Sequence, residues 1–310
     1  MNLRQIAYFV SISECNSILK ASQILHISQP TVSSQIKLLE EELEVVLFER
    51  RSSGVILTPE GKEFLTYAKN ILNNVQGAKE SMRSSKTGEV GSVTVGIPNS
   101  LSPILSIKLV QAVRKELPNV RLKVISGMTG NLLEWILQGN IDFGLVFNEI
   151  PLYGLDLECL LIEYLYLVGR SADEFEDLVD ASDRFSFRNI QGLPLVLPSA
   201  DHGLRKMIEE HARQAGVSLN VCAEVDGHEL LPEMVVDTDM FTVFSRAGLQ
   251  GRAYLNALHS VKIIDPFIER KIFLAHAAGR PLSRVARNVD RYVRHILLEA
   301  AKSGWWDVRH

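Results

Sequence analysis

The run His26-Ile-Ser-Gln-Pro-Thr-Val-Ser-Ser-Gln-Ile-Lys-Leu-Leu-Glu40 (HISQPTVSSQIKLLE) sets a proline among small polar side chains and then settles into an amphipathic pattern. A proline costs nothing in the first turn of a helix, where backbone N–H groups have no intrahelical acceptor. Pro30 therefore marks a helix start, with Ser28 as its cap. Val32, Ile36, Leu39 and Leu43 fall on one face of that helix. Gln29, Thr31, Ser33, Ser34, Gln35 and Lys37 are left on the others. Hydroxyls, an amide and free backbone N–H groups at a helix start suit the base edges and phosphates of a major groove.

Upstream, Leu3, Ile6, Ala7, Phe9 and Val10 repeat with helical period, and Ser17 caps a second helix running to about Leu25. Two helices separated by so short a break form a helix-turn-helix. Downstream, LFERRSSGVILT (Leu47 to Thr58) reads as a hairpin turning at Ser53-Gly54. Arg50 and Arg51 alone would be a solvated turn. Directly behind a helix-turn-helix they become a wing that reaches the DNA backbone or minor groove. The acidic run Glu40 to Glu42 lies at the far end of the third helix, away from the groove.

Thr58-Pro59-Glu60 opens another helix, with threonine as cap. Its apolar residues Phe64, Ala68, Ile71, Val75, Ala78 and Met82 form a heptad seam up to the break at Ser84 to Gly88. Docking on its own domain is one use for such a seam. Its regularity behind a DNA-binding head predicts instead the pairing of two subunits.

Past Gly91 strands and helices alternate: SVTVGI, a helix over 102–117, VRLKVIS, a helix over 131–137, then IDFGLVF. A second set starts near Tyr164 with YLYLVG, LPLVLP, a helix from Gly203 to Ala215, LNVCAEV, a helix around Glu229 to Val236, and MFTVF. A strand at Lys271 to Ala275 and a helix from Ser283 to Ser303 follow. The alternation predicts parallel βαβ units in two small lobes flanking a cleft. The division expected is 1–58 for the head, 59–90 for the linker helix and hinge, 91–162 with 266–310 for lobe I, and 163–265 for lobe II.

Composition narrows the alternatives. The 310 residues are 46% hydrophobic, enough for real cores. Lys and Arg total 33 against 37 Asp and Glu, so any nucleic-acid site is local rather than a bulk property. Cys15, Cys159 and Cys222 are far apart and fit neither a disulfide framework nor a zinc cluster. A basic leader and a membrane-length apolar run are both missing, so a cytoplasmic protein is expected. No nucleophile elbow, phosphate loop, dinucleotide fingerprint or metal-ligand spacing is present, and Pro232 stands where a zinc-protease pattern starting at His228 would need its second histidine. An enzyme is therefore not expected, nor a cofactor or metal. A transporter's solute-binding protein would need an export signal and no winged head.

The succession resembles the LysR-type transcriptional regulators from Met1 to about Ser303. The likeness is carried by YFV (Tyr8 to Val10), ASQILHISQPTVSSQIKLLEEEL (Ala21 to Leu43), LFERRSSGVILTPEG (Leu47 to Gly61) and GNIDFGLV (Gly139 to Val146). The stretch LVLPSADHGLR (Leu195 to Arg205) is similar to the branch of nitrogen-assimilation and nitrogen-heterocycle regulators. The resemblance implies an all-α, winged helix-turn-helix N-terminal domain and a two-lobed α/β effector domain like a periplasmic binding protein. It further implies binding of double-stranded DNA at an interrupted dyad, a homodimer assembled into a homotetramer, a small-molecule effector, and RNA polymerase as a further partner.

Family residues carry over to Gln29, Pro30, Thr31, Ser33, Ser34 and Gln35 on the recognition helix, and to Arg50 and Arg51 on the wing. The effector cleft is expected at strand ends: Asn99, Ser100, Leu101, Thr129, Phe147, Asn148, Pro198 and Ser199. His202 and Arg205, at a predicted helix start, are the candidates for a carboxylate or similar anion. The chain departs from the family at Glu44, where a glycine usually ends the recognition helix. It departs again in DTDMFTVFSRAGL (Asp237 to Leu249), where a glycine-rich stretch is common, which puts contacts at Phe244 and Ser245 in question.

Overall fold

A computed structural model describes residues 1–51, 54–87, 89–148, 153–250 and 257–309, and the side chains within these except 80, 81 and 83–87. The chain opens with α1 (Leu3–Cys15), whose start is closed by Asn2: its side chain accepts from the Arg4 and Gln5 N–H groups while Gln5 Oε1 accepts from the Asn2 N–H. Next come α2 (Ile18–Leu25), capped by Ser17, and α3 (Gln29–Leu43). Ile6, Phe9, Ile12, Ala21, Val32, Ile36 and Leu39 from these three helices form one buried core. The hairpin of β1 (Phe48–Arg51) and β2 (Gly54–Leu57) closes over it through Phe48 and Val55. Gly54 belongs to β2, paired with Arg51, rather than to the turn expected at Ser53-Gly54, and Ser53 lies outside the described residues.

Gly54 shows why the hairpin sits where it does. Its φ of +138° is a glycine conformation, and a Cβ there would stand 2.5 Å from the Asn16 carbonyl. That same carbonyl accepts a hydrogen bond from the Val55 N–H at 3.1 Å, tying the wing to the end of α1.

Helix α4 (Pro59–Thr87) begins with Thr58 Oγ1 accepting from the Gly61 N–H at 2.9 Å. Its seam divides into two parts. Ala68 is fully buried in the head, Phe64 meets the Phe9 ring at 4.9 Å, and Ile71 packs against the same core. These three are occupied within the chain, because α4 docks on α1, and so they do not form the free face expected of them. Val75 is half-buried, whereas Ala78 and Met82 are exposed. On another side α4 meets the effector region: Lys69 Nζ donates to Asn140 Oδ1 (2.9 Å) and Asn73 Nδ2 to the Gly139 carbonyl (2.6 Å).

Beyond α4 lie β3 (Gly91–Pro98), α5 (Ser102–Glu116), β4 (Val120–Gly127), α6 (Thr129–Leu137) and β5 (Phe143–Phe147). β3 pairs in parallel with both β4 and β5, as the alternation predicts. The next strand, β6 (Leu155–Gly169), is 15 residues long and runs through both lobes, so YLYLVG is only its second half. Then follow β7 (Arg184–Ser186), β8 (Pro194–Leu197), α7 (Gly203–Ala215), β9 (Asn220–Glu224), α8 (Leu230–Val236), β10 (Thr242–Ser245), β11 (His259–Ile264), β12 (Glu269–Ala277), α9 (Arg284–Lys302) and β13 (Val308–Arg309). Pairing is mixed rather than wholly parallel. β12 runs antiparallel to β5 and β6, and β10 and β11 run antiparallel to β6.

Lobe I packs Val95, Ile97, Leu105, Leu109 and Phe143 against Val289 and Val293 of α9, with Leu132, Leu133 and Ile136 of α6 on the opposite face of the sheet. Lobe II packs Phe185, Phe187, Leu195 and Ile208. The strands that cross between them, β6 and β12, pair Glu163 with Arg270 directly. The final segment lies across that crossing. Trp306 is buried and donates from Nε1 to Glu163 Oε2 at 3.0 Å, and Asp307 accepts from Lys262 and Tyr166 of lobe II. No helix among the described residues is long and apolar enough to cross a membrane.

Candidate DNA interface and effector cleft

The buried side of α3 is Val32, Ile36 and Leu39, so Ser28, Gln29, Pro30, Thr31, Ser34 and Lys37 face solvent, with Ser33 and Gln35 half-exposed. Ser28 occupies the N-cap but makes no side-chain bond to the backbone; its hydroxyl meets the Thr31 hydroxyl at 2.7 Å instead. The first-turn N–H groups are thereby left to an outside acceptor such as a phosphate. Arg50 donates to Ser33 Oγ at 3.1 Å, which joins wing and helix into one surface. Between them runs a groove of about 310 Å³ lined by Pro30, Ser33, Ser34, Lys37 and Arg50. Arg51 and Lys37 are exposed and paired with Glu49 and Glu41.

Glu40 lies within the acidic run yet performs a local task. Its Oε1 accepts from the Leu47 and Phe48 N–H groups at 2.8 and 3.2 Å, holding the hairpin to the end of α3. Glu44 adopts φ +56°, the left-handed conformation a helix-ending glycine would take freely.

In the other region the strand ends bring most of the expected residues together. Ser100 is buried and accepts from Arg270 Nη2 at 3.3 Å. The Arg270 guanidinium lies 3.6 Å over the Phe147 ring, and the Phe147 N–H donates to Thr129 Oγ1 at 3.1 Å. Asn148 Oδ1 accepts from the Lys271 N–H, and Asn148 Nδ2 reaches Met207 Sδ of lobe II at 3.7 Å. Asn99 Oδ1 accepts from the Ser126 hydroxyl.

In lobe II, the Ser199 N–H donates to Asp226 and holds that carboxyl below its usual range. His202 caps α7, its Nδ1 accepting from the Leu204 N–H at 3.1 Å. Burial first, and the Arg270 charge with it, hold the His202 imidazole below its usual pKa, so the neutral ring with its proton on Nε2 is favoured.

Two expected cleft residues are placed otherwise. Leu101 is fully buried in the core of lobe I. Arg205 is buried and tied within lobe II to Glu209 Oε1 (2.7 Å), Glu224 Oε1 (3.0 Å) and the Pro198 carbonyl (3.0 Å). Its charge is thus already paired with two carboxylates of its own lobe. Phe244 and Ser245 are both buried. Arg270 and Glu163 are not among the expected cleft residues, because a charged side chain inside a strand gives no local sign of the buried partner it meets. The signal was nonetheless there: stepping back in twos from Leu274 and Ile272, both in the core, reaches Arg270.

A winged helix-turn-helix joined to a two-lobed α/β domain defines a protein that couples DNA contact to a ligand cleft. The profile described as the lysR-family bacterial regulatory helix-turn-helix matches residues 3–62, and that of the LysR substrate binding domain matches residues 86–297. The chain belongs to the LysR family of transcriptional regulators, which are DNA-binding proteins rather than enzymes. It is 30% identical over 227 residues to the nitrogen assimilation regulatory protein nac of Escherichia coli, covering 73% of this chain and 72% of that one. With the transcriptional regulator BbuR of Bordetella bronchiseptica it shares 25% identity over 298 residues, 96% of this chain and 90% of the relative. Among solved structures, a full-length OxyR from Pseudomonas aeruginosa superimposes with a TM-score of 0.78 at 22% identity, covering 95% of each chain. Full-length CbnR complexed with its target DNA gives 0.64 at 19% identity, covering 96% of this chain and 100% of that one.

Proposed function

We propose that the chain reads an operator with the first turns of α3, senses a small molecule between its lobes, and works as a cytoplasmic homo-oligomer. The observation that carries this reading is the uncapped polar start of α3 set against an arginine-bearing wing. Ser34 and Gln35 read base edges, while Ser28, Gln29, Thr31, Ser33, Lys37, Arg50 and Arg51 hold phosphates. The domains are 1–58, 59–90, the two-part lobe I and lobe II. Asn99, Ser100, Thr129, Phe147, Asn148, Pro198, Ser199 and His202 line the cleft. Dimers form along the outer part of α4, at half-buried Val75 and exposed Ala78, and associate into tetramers at the promoter, where RNA polymerase is the further partner. An effector that prefers one lobe angle changes the dimer arrangement and so the DNA contacts.

The test is selection of binding sites from random duplex DNA by the full-length protein. An interrupted dyad is expected, and enrichment of no shared sequence would sink the operator reading. The sensing reading is tested by thermal unfolding against amino acids, nitrogen heterocycles and carboxylates, a range to which the likeness to nac points. A protein that none of them stabilises would count against the cleft.

A further inference from the structure

We propose that Arg270, not Arg205, is the effector-reading group of the cleft, and that the effector presents one carboxylate to it. The inference rests on the sensing function proposed above and names the chemistry of that site.

Donors outnumber acceptors around the cleft. The amide and backbone acceptors there are already engaged, Asn148 Oδ1 by Lys271, Asn99 Oδ1 by Ser126 and the Pro198 carbonyl by Arg205, while Asp226, which accepts from Ser199, turns its remaining acceptor capacity to solvent. The donors are not all engaged. The hydroxyls of Ser100 and Thr129 each accept a bond and meet no acceptor for their own proton among the described residues. His202 turns its acceptor nitrogen inward to Leu204, which leaves Nε2–H. Arg270 uses Nε and Nη2 on Glu163 and Ser100, and its Nη1 has no protein acceptor among the described residues, although the side chain is only 8% exposed. A ligand that fits must be rich in acceptors.

Charge at the site points the same way. Arg270 is balanced by Glu163, which is 0% exposed and held on its other oxygen by Trp306. A buried ion pair is a costly way to fill a crossing between lobes, since apolar residues of the same volume serve stability as well. It keeps a guanidinium rigidly presented over the Phe147 ring. The starts of α5, α6 and α7 at Ser102, Thr129 and Gly203, next to Ser100, Phe147 and His202, add partial positive charge. Asp226, the other carboxylate near His202, is exposed and its charge is screened by water, so one added negative charge at Arg270 fits that field. A doubly charged phosphate or sulfate would face the Glu163 carboxylate as well, so a carboxylate is favoured over them.

The test is thermal unfolding of the full-length protein with linear, branched and aromatic monocarboxylates, each beside its uncharged primary amide, and with inorganic phosphate and sulfate. At least one acid should raise the melting temperature at a concentration about tenfold below that needed for its amide. The response should vanish in Arg270→Gln/Glu163→Gln, where both charges go together so that neither is orphaned and the glutamine still offers Trp306 an acceptor. It should survive in Lys206→Gln, which removes an exposed neighbouring charge.

An acid response retained in the double variant would overturn the role of Arg270 and leave the cleft standing. An amide as effective as its acid, or stabilisation by phosphate or sulfate alone, would overturn the carboxylate while leaving a ligand site. If no acid stabilises the protein, the proposal fails, and the broader panel of amino acids and heterocycles decides separately whether the chain senses anything. Should Arg270→Gln/Glu163→Gln not fold, Arg270→Lys serves in its place, with the acid response expected to fall at least tenfold and an unchanged response overturning the assignment.

Discussion

Glu44 holds a left-handed backbone at the end of the recognition helix with its side chain in solvent, so the strain there is not repaid by packing. That conformation costs an L-residue roughly 1–2 kcal/mol, and glycine avoids it at the expense of a more flexible unfolded chain. Glu44→Gly should therefore raise stability in urea by about 0.5–1 kcal/mol; a loss would mean that the Glu44 side chain contributes in some other way. His202 makes a second prediction with a definite sign. Its folded pKa lies below the ordinary 6.5, so below that pH the unfolded chain binds the extra proton and stability falls. Protonation also removes the Nδ1 acceptor that caps α7. Between pH 7.5 and 5.5, His202→Asn, which caps without titrating, should lose less stability than the parent chain; equal losses would remove His202 from the pH response. At this scale the sequence was readable where a residue's task is local, as with Pro30 and Thr58. It was unreadable where the task depends on a distant partner: nothing near Arg205 announces Glu224, and nothing near Arg270 announces Trp306.

The wing and the recognition helix act through one another because Arg50 reaches Ser33. Replacing Arg50 with alanine should weaken binding to all sequences and flatten its salt dependence. Adding Ser33→Ala to that variant should cost less than Ser33→Ala alone, with a coupling of about 0.5 kcal/mol or more, because the two no longer position each other. Strict additivity on the selected operator would dissolve the pairing. Ser34→Ala or Gln35→Ala should cost on the order of 1–3 kcal/mol on that operator and little on random duplex. Equal losses on both would end the base-reading role. Helix periods identified the head and linker elements because each buries one stripe against a neighbour in sequence. The short β7, β11 and β13 escaped, since a strand of a few residues paired with a remote segment leaves little periodic signal.

For the molecule as a whole, the docking of Phe64, Ala68 and Ile71 inside the head changes how oligomerisation should be probed. Aspartate at Ile71 would disturb the head's own core, so a lost dimer there would say little. Aspartate at exposed Ala78 should yield a folded protein that sediments as a monomer, and a variant that remains dimeric would remove α4 from the interface. The two-lobed plan was legible from the alternation of strands and helices. The mixed strand directions were not, because they depend on β12 returning between β5 and β6, a choice made by tertiary packing. That return, with a β6 that never breaks between the lobes, bears on how such sensors diversify. Exchanging one lobe for a cousin's by recombination would have to join two strands in the middle of a ladder and restore the irregularity at Ile272/Phe273 as well. New ligand preferences are therefore reached more readily by changing side chains at the strand ends than by shuffling lobes as modules.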